Sequence, residues 1–150
     1  MPTPELNCKW SPRLRHKVLV LHNDQHFVGQ IGKLLRRDGR FQMLWVDNAF
    51  EAGQVARELI PELIVCSAQL PYFNLHHVVR RIKDDQTFDG LRVLCLADLE
   101  EKEYFDLLLA GADEVLPSVC DGNTLLTAVY RQLGLTPPHH GISGSPENLN

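Results

Sequence analysis

The sequence predicts a single α/β domain built on a doubly wound parallel sheet. Three observations carry this. Short apolar runs recur along the chain at 17–21 (KVLVL), 41–46 (FQMLWV), 61–67 (PELIVCS), 91–96 (LRVLCL) and 114–116 (EVL). Stretches with helical periodicity separate them. The connections between the two kinds of segment are short. Buried parallel strands read as continuous apolar runs. Strict strand–helix alternation with right-handed crossovers leaves little else than a parallel sheet covered on both faces.

The elements follow in order. Residues 1–16 hold three prolines and little periodicity, and are expected to form an extended arm resting on the domain through Trp10. Lys17–Leu21 is the first strand, and His22–Gln25 the turn after it. Asp24 is the expected N-cap of a helix over Phe27–Arg37, with Phe27, Ile31, Leu34 and Leu35 on one face. Asp38-Gly39 stops that helix. Phe41–Val46 is the second strand. Asp47 or Asn48 caps a second helix with Phe50, Val55, Ala56 and Leu59 inside. Pro61–Ser67 is the third strand. The third helix runs over Leu75–Lys83, with Val78, Val79 and Ile82 inward and one of His76 and His77 packed. Asp84–Gly90 is a loop and Leu91–Leu96 the fourth strand. Asp98 is read as the cap of a fourth helix that buries Tyr104, Leu107, Leu108 and Leu109 and ends at Gly111. Glu114–Leu116 is the fifth strand. Asp121 opens a fifth helix through Leu125, Leu126, Val129, Tyr130 and Leu133, ended by Gly134. The five βα units give a flavodoxin-like strand order, 2-1-3-4-5. Residues 136–150 have almost nothing to bury, and disorder is expected there.

Composition bounds the function. The chain has 150 residues, 44% hydrophobic and 23% charged, as for an ordinary globular domain. A net charge of −4 argues against a direct nucleic-acid binder. No apolar run is long enough to span a bilayer, and the N-terminus lacks the apolar core of a secretory signal, so the expected location is cytoplasmic. The four cysteines, Cys8, Cys66, Cys95 and Cys120, show no C-x-x-C spacing and are expected to be reduced. If Ser67 and Ala97 both end neighbouring parallel strands, Cys66 is level with Leu96, and the thiols of Cys66 and Cys95 point to opposite faces.

Several stretches together resemble the receiver domain of bacterial two-component response regulators, over about 17–135. KVLVL-HND is similar to the first strand followed by an acidic pair. PELIVCSAQLP resembles the block that ends in the phosphoacceptor aspartate. RVLCLAD resembles the fourth strand with its terminal Thr/Ser. AGADEVLPSVC resembles the G-A-D block that ends in Lys-Pro. The resemblance implies a role in phosphorelay signalling, with a histidine kinase or signalling effector as protein partner. Carried over position by position, the acidic pair falls on His22 and Asn23, the phosphoacceptor on Ser67, and the Thr/Ser on Ala97. The lysine falls on Ser118, its following proline on Val119, and the aromatic switch residue on Val115.

Every catalytic position departs from the pattern. Mg²⁺ wants hard anionic oxygens in near-octahedral array; His22, Asn23 and Ser67 offer none, so no metal and no cofactor is expected. Phosphoryl transfer is positioning plus charge neutralisation, and the metal, the lysine and the hydroxyl donor are missing together. Ser67 lacks an oriented base and a G-x-S-x-G elbow, so catalysis is not expected. The expectation for His22, Asn23, Ser67 and Ser118 is a neutral hydrogen-bonded cluster filling the former pocket. Two non-enzymatic readings remain open. One is a phosphorylation-independent interaction domain, binding through the face of the fourth helix, fifth strand and fifth helix (Asp98, Glu101, Val115, Val119, Cys120), with homodimerisation as one form of that binding. The other is a small-molecule or anion sensor using the former pocket.

Overall fold

The computed structural model describes residues 15–71 and 73–138. Its five parallel strands are β1 (His16–Leu21), β2 (Phe41–Val46), β3 (Leu63–Ser67), β4 (Arg92–Leu96) and β5 (Glu114–Leu116). They lie in the order β2-β1-β3-β4-β5. The helices are α1 (Gln25–Asp38), α2 (Ala49–Leu59), α3 (Leu75–Asp84), α4 (Glu101–Ala110) and α5 (Gly122–Leu133), with a 3₁₀ turn at Gln86–Phe88. The predicted fold class and strand order are those observed. The arm expected over 1–16 and the tail over 136–150 fall mostly outside the described residues. His16 belongs to β1, paired with Phe41 of β2, rather than to the arm.

Alternation along the strands sorts the interior into two layers. Leu19, Leu21, Ile64, Cys66, Val93 and Cys95 face α2, α3 and α4, where they meet Ala56, Val79 and Leu107. Val18, Val20, Leu63, Val65, Leu94 and Leu96 face α1 and α5, against Ile31, Leu35, Leu125 and Val129.

The helices start where short polar side chains can accept otherwise unpaired N–H groups. The Asp24 carboxylate accepts from His26 and Phe27 N–H at 3.0 and 3.2 Å. Asn48 accepts from Glu51 N–H (2.8 Å), Asn74 from His77 N–H (3.0 Å) and Asp121 from Thr124 N–H (2.7 Å). Gly39, Gly111 and Gly134 end their helices at positive φ.

Five expectations need correction. Cys66 pairs in register with Cys95, and Ser67 with Leu96. Ala97 therefore lies one residue beyond the level of Ser67, and both thiols point to the α2–α4 side. They are free and fully buried; burial pushes the Cys66 thiol well above its usual range and the Cys95 thiol up to about 12. Phe50 is 78% exposed. The inward phase of α2 is set by Ala52, Val55, Ala56 and Leu59, and at ~100° per residue Phe50 stands some 200° from Ala52. Leu109 is 82% exposed and Tyr104 also faces outward. The run LLLA at 107–110 carries no period of its own, and Leu107 and Ala110 take the inward positions. His76 and His77 are both exposed, because Leu75 and Val79 occupy the buried face of α3. Asp98 does not cap α4. Glu100 does, through a reciprocal capping box with Glu103.

One polar network crosses the domain on the α1/α5 side. The Asp38 carboxylate accepts from Arg40 Nε (2.7 Å) and from the Tyr130 hydroxyl (2.7 Å). The Arg40 guanidinium also donates to the Thr136 carbonyl at 2.9 Å. The hydrogen bonds from Arg40 hold the Asp38 carboxyl below its usual range, and burial with the Asp38 contact pushes the Tyr130 phenol up to about 12.

Candidate functional site

In open α/β sheets the chemistry collects beyond the carboxyl ends of the strands. Here that edge is formed by the residues that follow β1, β3, β4 and β5. The ladder brings their positions together. Leu21 pairs with Cys66, Ser67 with Leu96, and Leu96 with Leu116. Backbone bonds continue the staple past the strands: His22 N–H to Val46 O (3.1 Å), Ala68 N–H to Leu96 O (2.9 Å) and Ala97 N–H to Leu116 O (2.9 Å).

His22, Ser67 and Ser118 are buried polar residues at this edge. Each makes a local hydrogen bond. His22 Nδ1 accepts from Asp24 N–H at 3.0 Å, which fixes the proton on Nε2 in the neutral ring. The imidazole stacks on Phe27 with centroids 4.8 Å apart. The Trp45 indole donates to the His22 carbonyl at 2.7 Å. Ser67 Oγ accepts from Gln69 N–H at 3.2 Å. Ser118 gives both its N–H (3.0 Å) and its hydroxyl to the Asp98 carboxylate. Asn23 is exposed and Ala97 is buried.

Among the described residues no hydrogen bond joins His22, Asn23, Ser67 and Ser118 to one another. The expected neutral cluster is instead a set of separate local bonds. One of them is anionic, since the two hydrogen bonds from Ser118 hold the Asp98 carboxyl below its usual range. The sequence reading assigned Asp98 to a helix cap because an acidic residue after an apolar strand is a common start signal. Its partner, twenty residues away across two strands, had no local sequence signature.

The chemistry available here is narrow. A divalent cation of the Mg²⁺ type does not fit. His22, Asn23 and Ser67, which the sequence resemblance places at the metal-binding positions, offer an imidazole whose Nδ1 is already used, an amide and a hydroxyl, and no carboxylate. Ser67 is buried, and its hydroxyl oxygen serves a backbone N–H rather than facing a base. An anion at this edge would meet the like charge of Asp98, to which the Ser118 hydroxyl already donates.

His22 should make the domain pH-sensitive. Burial lowers its pKa from the ordinary 6.5, against a smaller raising effect from Asp24. Below 6.5 the unfolded chain then binds more protons than the folded one. This contribution to stability is complete above pH 6.5 and is lost as pH falls through the folded-state value. Urea midpoints should drop between pH 7.5 and 5.5, and His22→Gln should flatten that part of the slope.

The remaining positions lie on one side of the edge. Val115 is half-buried and leaves a shallow groove of about 500 Å³ between β5 and α4, lined by Asp98, Glu100, Tyr104 and Pro117. Val119 is 83% exposed. Cys120 turns inward, against the α1/α5 layer. Glu101 heads an exposed row along α4 that continues through Phe105 (51% exposed) and Leu109 (82%). Sequence reasoning missed the two apolar members of this row. It placed Leu109 inside and gave Phe105 no role.

No protein-family model matches the chain, and no curated protein matches it. Solved structures do. The chain is similar to a response-regulator signal receiver domain from Bermanella marisrubri, with TM-score 0.71 and 22% identity over 79% of this chain and 98% of that one. It is similar to the signal receiver domain of a putative LuxO repressor protein from Vibrio parahaemolyticus, with TM-score 0.73 and 20% identity over 81% and 92%. The third is the receiver domain of a sensor histidine kinase from Pseudomonas aeruginosa, which has a magnesium ion coordinated in its active-site cleft. It matches with TM-score 0.68 and 17% identity over 80% and 98%.

Proposed function

We propose that this chain, which has the fold of receiver domains, works as a phosphorylation-independent, non-enzymatic receiver-type module of two-component signalling, acting by binding a protein partner. The observation that carries this is the state of the phosphoacceptor position. Ser67 is 1% exposed, its hydroxyl is engaged by Gln69 N–H, and Ser118, at the lysine position, is tied to Asp98. Neither serine supplies the positive charge that would neutralise a transferred phosphoryl group, and Ser118 sits beside the Asp98 carboxylate instead.

The binding surface is the outer face of α4 together with β5. Phe105 and Leu109 present large apolar side chains to solvent, flanked by Tyr104 and rimmed by Glu101 and Lys102. An apolar centre with a charged rim is the anatomy of a protein interface. With Val115 in place of an aromatic switch, docking there does not depend on phosphorylation. A histidine kinase, a downstream effector or a second copy of this chain are the partners this reading implies, in a bacterial cytoplasm.

The test has two parts. Acetyl phosphate or beryllofluoride with Mg²⁺ should leave the ¹H–¹⁵N spectrum unchanged, and shifts centred on Ser67 would overturn phosphorylation independence. A partner captured from the source cell, or self-association measured by sedimentation, should be weakened at least about 100-fold by Phe105→Glu with Leu109→Glu, as expected of interface centres. Both positions are exposed, so the fold should change by no more than ~0.5 kcal/mol per site. Undiminished binding by the folded double variant would move the interface elsewhere.

A further inference from the structure

A second cavity opens between α2 and α3. The small side chains of α2 leave it open. Ala49, Ala52, Gly53 and Ala56 fall on the side of the helix that lines the gap, and no bulky residue fills it. The floor is apolar and reaches Leu21, Ile64 and Cys66 of the sheet, with Phe88 at one end. The volume is about 460 Å³, within the range of small-molecule sites and too small for a docked helix.

The mouth carries charge of one prevailing sign. Arg57 and Arg81 stand against a single acid, Asp85, with the His77 side chain beside them. Asp85 is engaged already: it caps the 3₁₀ turn through Thr87 N–H at 2.9 Å and meets Arg57 at 3.5 Å. Arg57 also lies over the Phe88 ring, 5.7 Å from its centroid. Arg81 has no hydrogen-bond or ion-pair partner among the described residues. Phe50, 78% exposed, stands at the opposite lip.

We propose that this cleft binds a small amphipathic anion, an apolar body carrying one carboxylate or sulfonate. The body enters between the helices over Ala52, Gly53 and Ile64. The head group stays at the mouth with Arg81, beside His77. At about 30 Å³ per displaced water the cleft holds on the order of fifteen non-hydrogen atoms, the size of a medium-chain fatty acid or an aryl carboxylate. The site uses none of His22, Ser67, Asp98 and Ser118 and no residue of the α4 face, so it stands or falls independently of the function proposed above.

The probe is decanoate, followed by ¹H–¹⁵N shifts, with decanol as the uncharged control. Decanoate is expected to bind with a dissociation constant below 1 mM and to shift amides of 52–57 and 77–82. Gly53→Leu should abolish binding. A Cβ at that position meets nothing within 4 Å, and leucine is a better helix former than glycine, so the variant should fold at least as well as the parent. Arg81→Gln should weaken decanoate about tenfold and leave decanol unchanged. Shifts mapping outside the cleft, unaltered binding by Gly53→Leu, or equal loss of decanoate and decanol in Arg81→Gln would each overturn the proposal.

Discussion

Gly111→Ala should lower the stability of this domain by about 3 kcal/mol, more than alanine at any other helix-ending glycine. Gly111 ends α4 with φ 124° and ψ 4°, while its N–H bonds to the carbonyls of Leu107 and Leu108. An L-residue pays roughly 1–2 kcal/mol for such a backbone. A Cβ there would also sit 2.5 Å from Cγ and 3.1 Å from Cβ of Lys83. Lys83 cannot yield freely. Its ammonium donates to the Leu91 carbonyl (2.9 Å) and to Asp113 (2.8 Å), and the same Asp113 oxygen accepts from Val93 N–H at 2.7 Å. Displacing Lys83 loosens a half-buried network that ties α3, β4 and the turn before β5, at a further ~1–2 kcal/mol. Gly134→Ala is the control. Gly134 also has positive φ, 67°, but a Cβ there meets nothing within 4 Å, so strain alone costs it ~1 kcal/mol. Urea melts of both variants separate the terms. Equal losses at the two sites would show that Lys83 moves aside without cost.

The Lys83–Asp113 network also shows where sequence reading stops. The glycine and aspartate of AGADEVL stood out as a motif, and the Asp24, Asn48, Asp121, Gly39 and Gly134 signals placed helix ends to within two residues. Such signals are local, because a cap and its N–H groups lie two or three residues apart. Strand order was legible too, since alternation and handedness leave few alternatives. What failed was phase and level. The register between β3 and β4 is set by how far each strand runs before its turn, and a one-residue difference put Cys95 level with Cys66 rather than Val65. Helix phase failed at Phe50 and in the LLLA run, where apolar residues are too dense to show which face is inside. At the strand-end edge, the identities of His22, Ser67 and Ser118 told what chemistry was missing. Their actual partners, Asp24 N–H, Gln69 N–H and Asp98, became visible only in the fold. The open α2–α3 cleft was invisible for a related reason: a row of alanines reads as close packing until the helices are seen to stand apart.

Ser67→Asp, at the position where the sequence resemblance places a phosphoacceptor, should destabilise the protein rather than make it one that accepts phosphoryl groups. Ser67 is 1% exposed at the end of a strand flanked by β1 and β4. A carboxylate there has no lysine at 118 and no metal ligands beside it. Asp98, two residues beyond its ladder partner Leu96, adds charge of the same sign. A buried carboxylate without a counter-ion raises its own pKa and costs about 3 kcal/mol near neutrality. The sign of the pH dependence follows. With the folded-state pKa above the ordinary carboxyl value of ~4, Ser67→Asp is least destabilising below that value. Its deficit then grows as pH rises toward the folded-state pKa. Ser67→Ala, which loses only the hydroxyl acceptor for the exposed Gln69 N–H, should cost less than ~1 kcal/mol. Adding Ser118→Lys to Ser67→Asp should recover ~1 kcal/mol or more beyond the sum of the single effects, because it supplies the missing cation. Denaturation of the parent, Ser67→Asp, Ser118→Lys and the double variant at pH 5 and pH 7.5 closes this cycle. A Ser67→Asp protein as stable as its parent at pH 7.5 would mean that water reaches position 67, and that the closed edge on which phosphorylation independence rests is open.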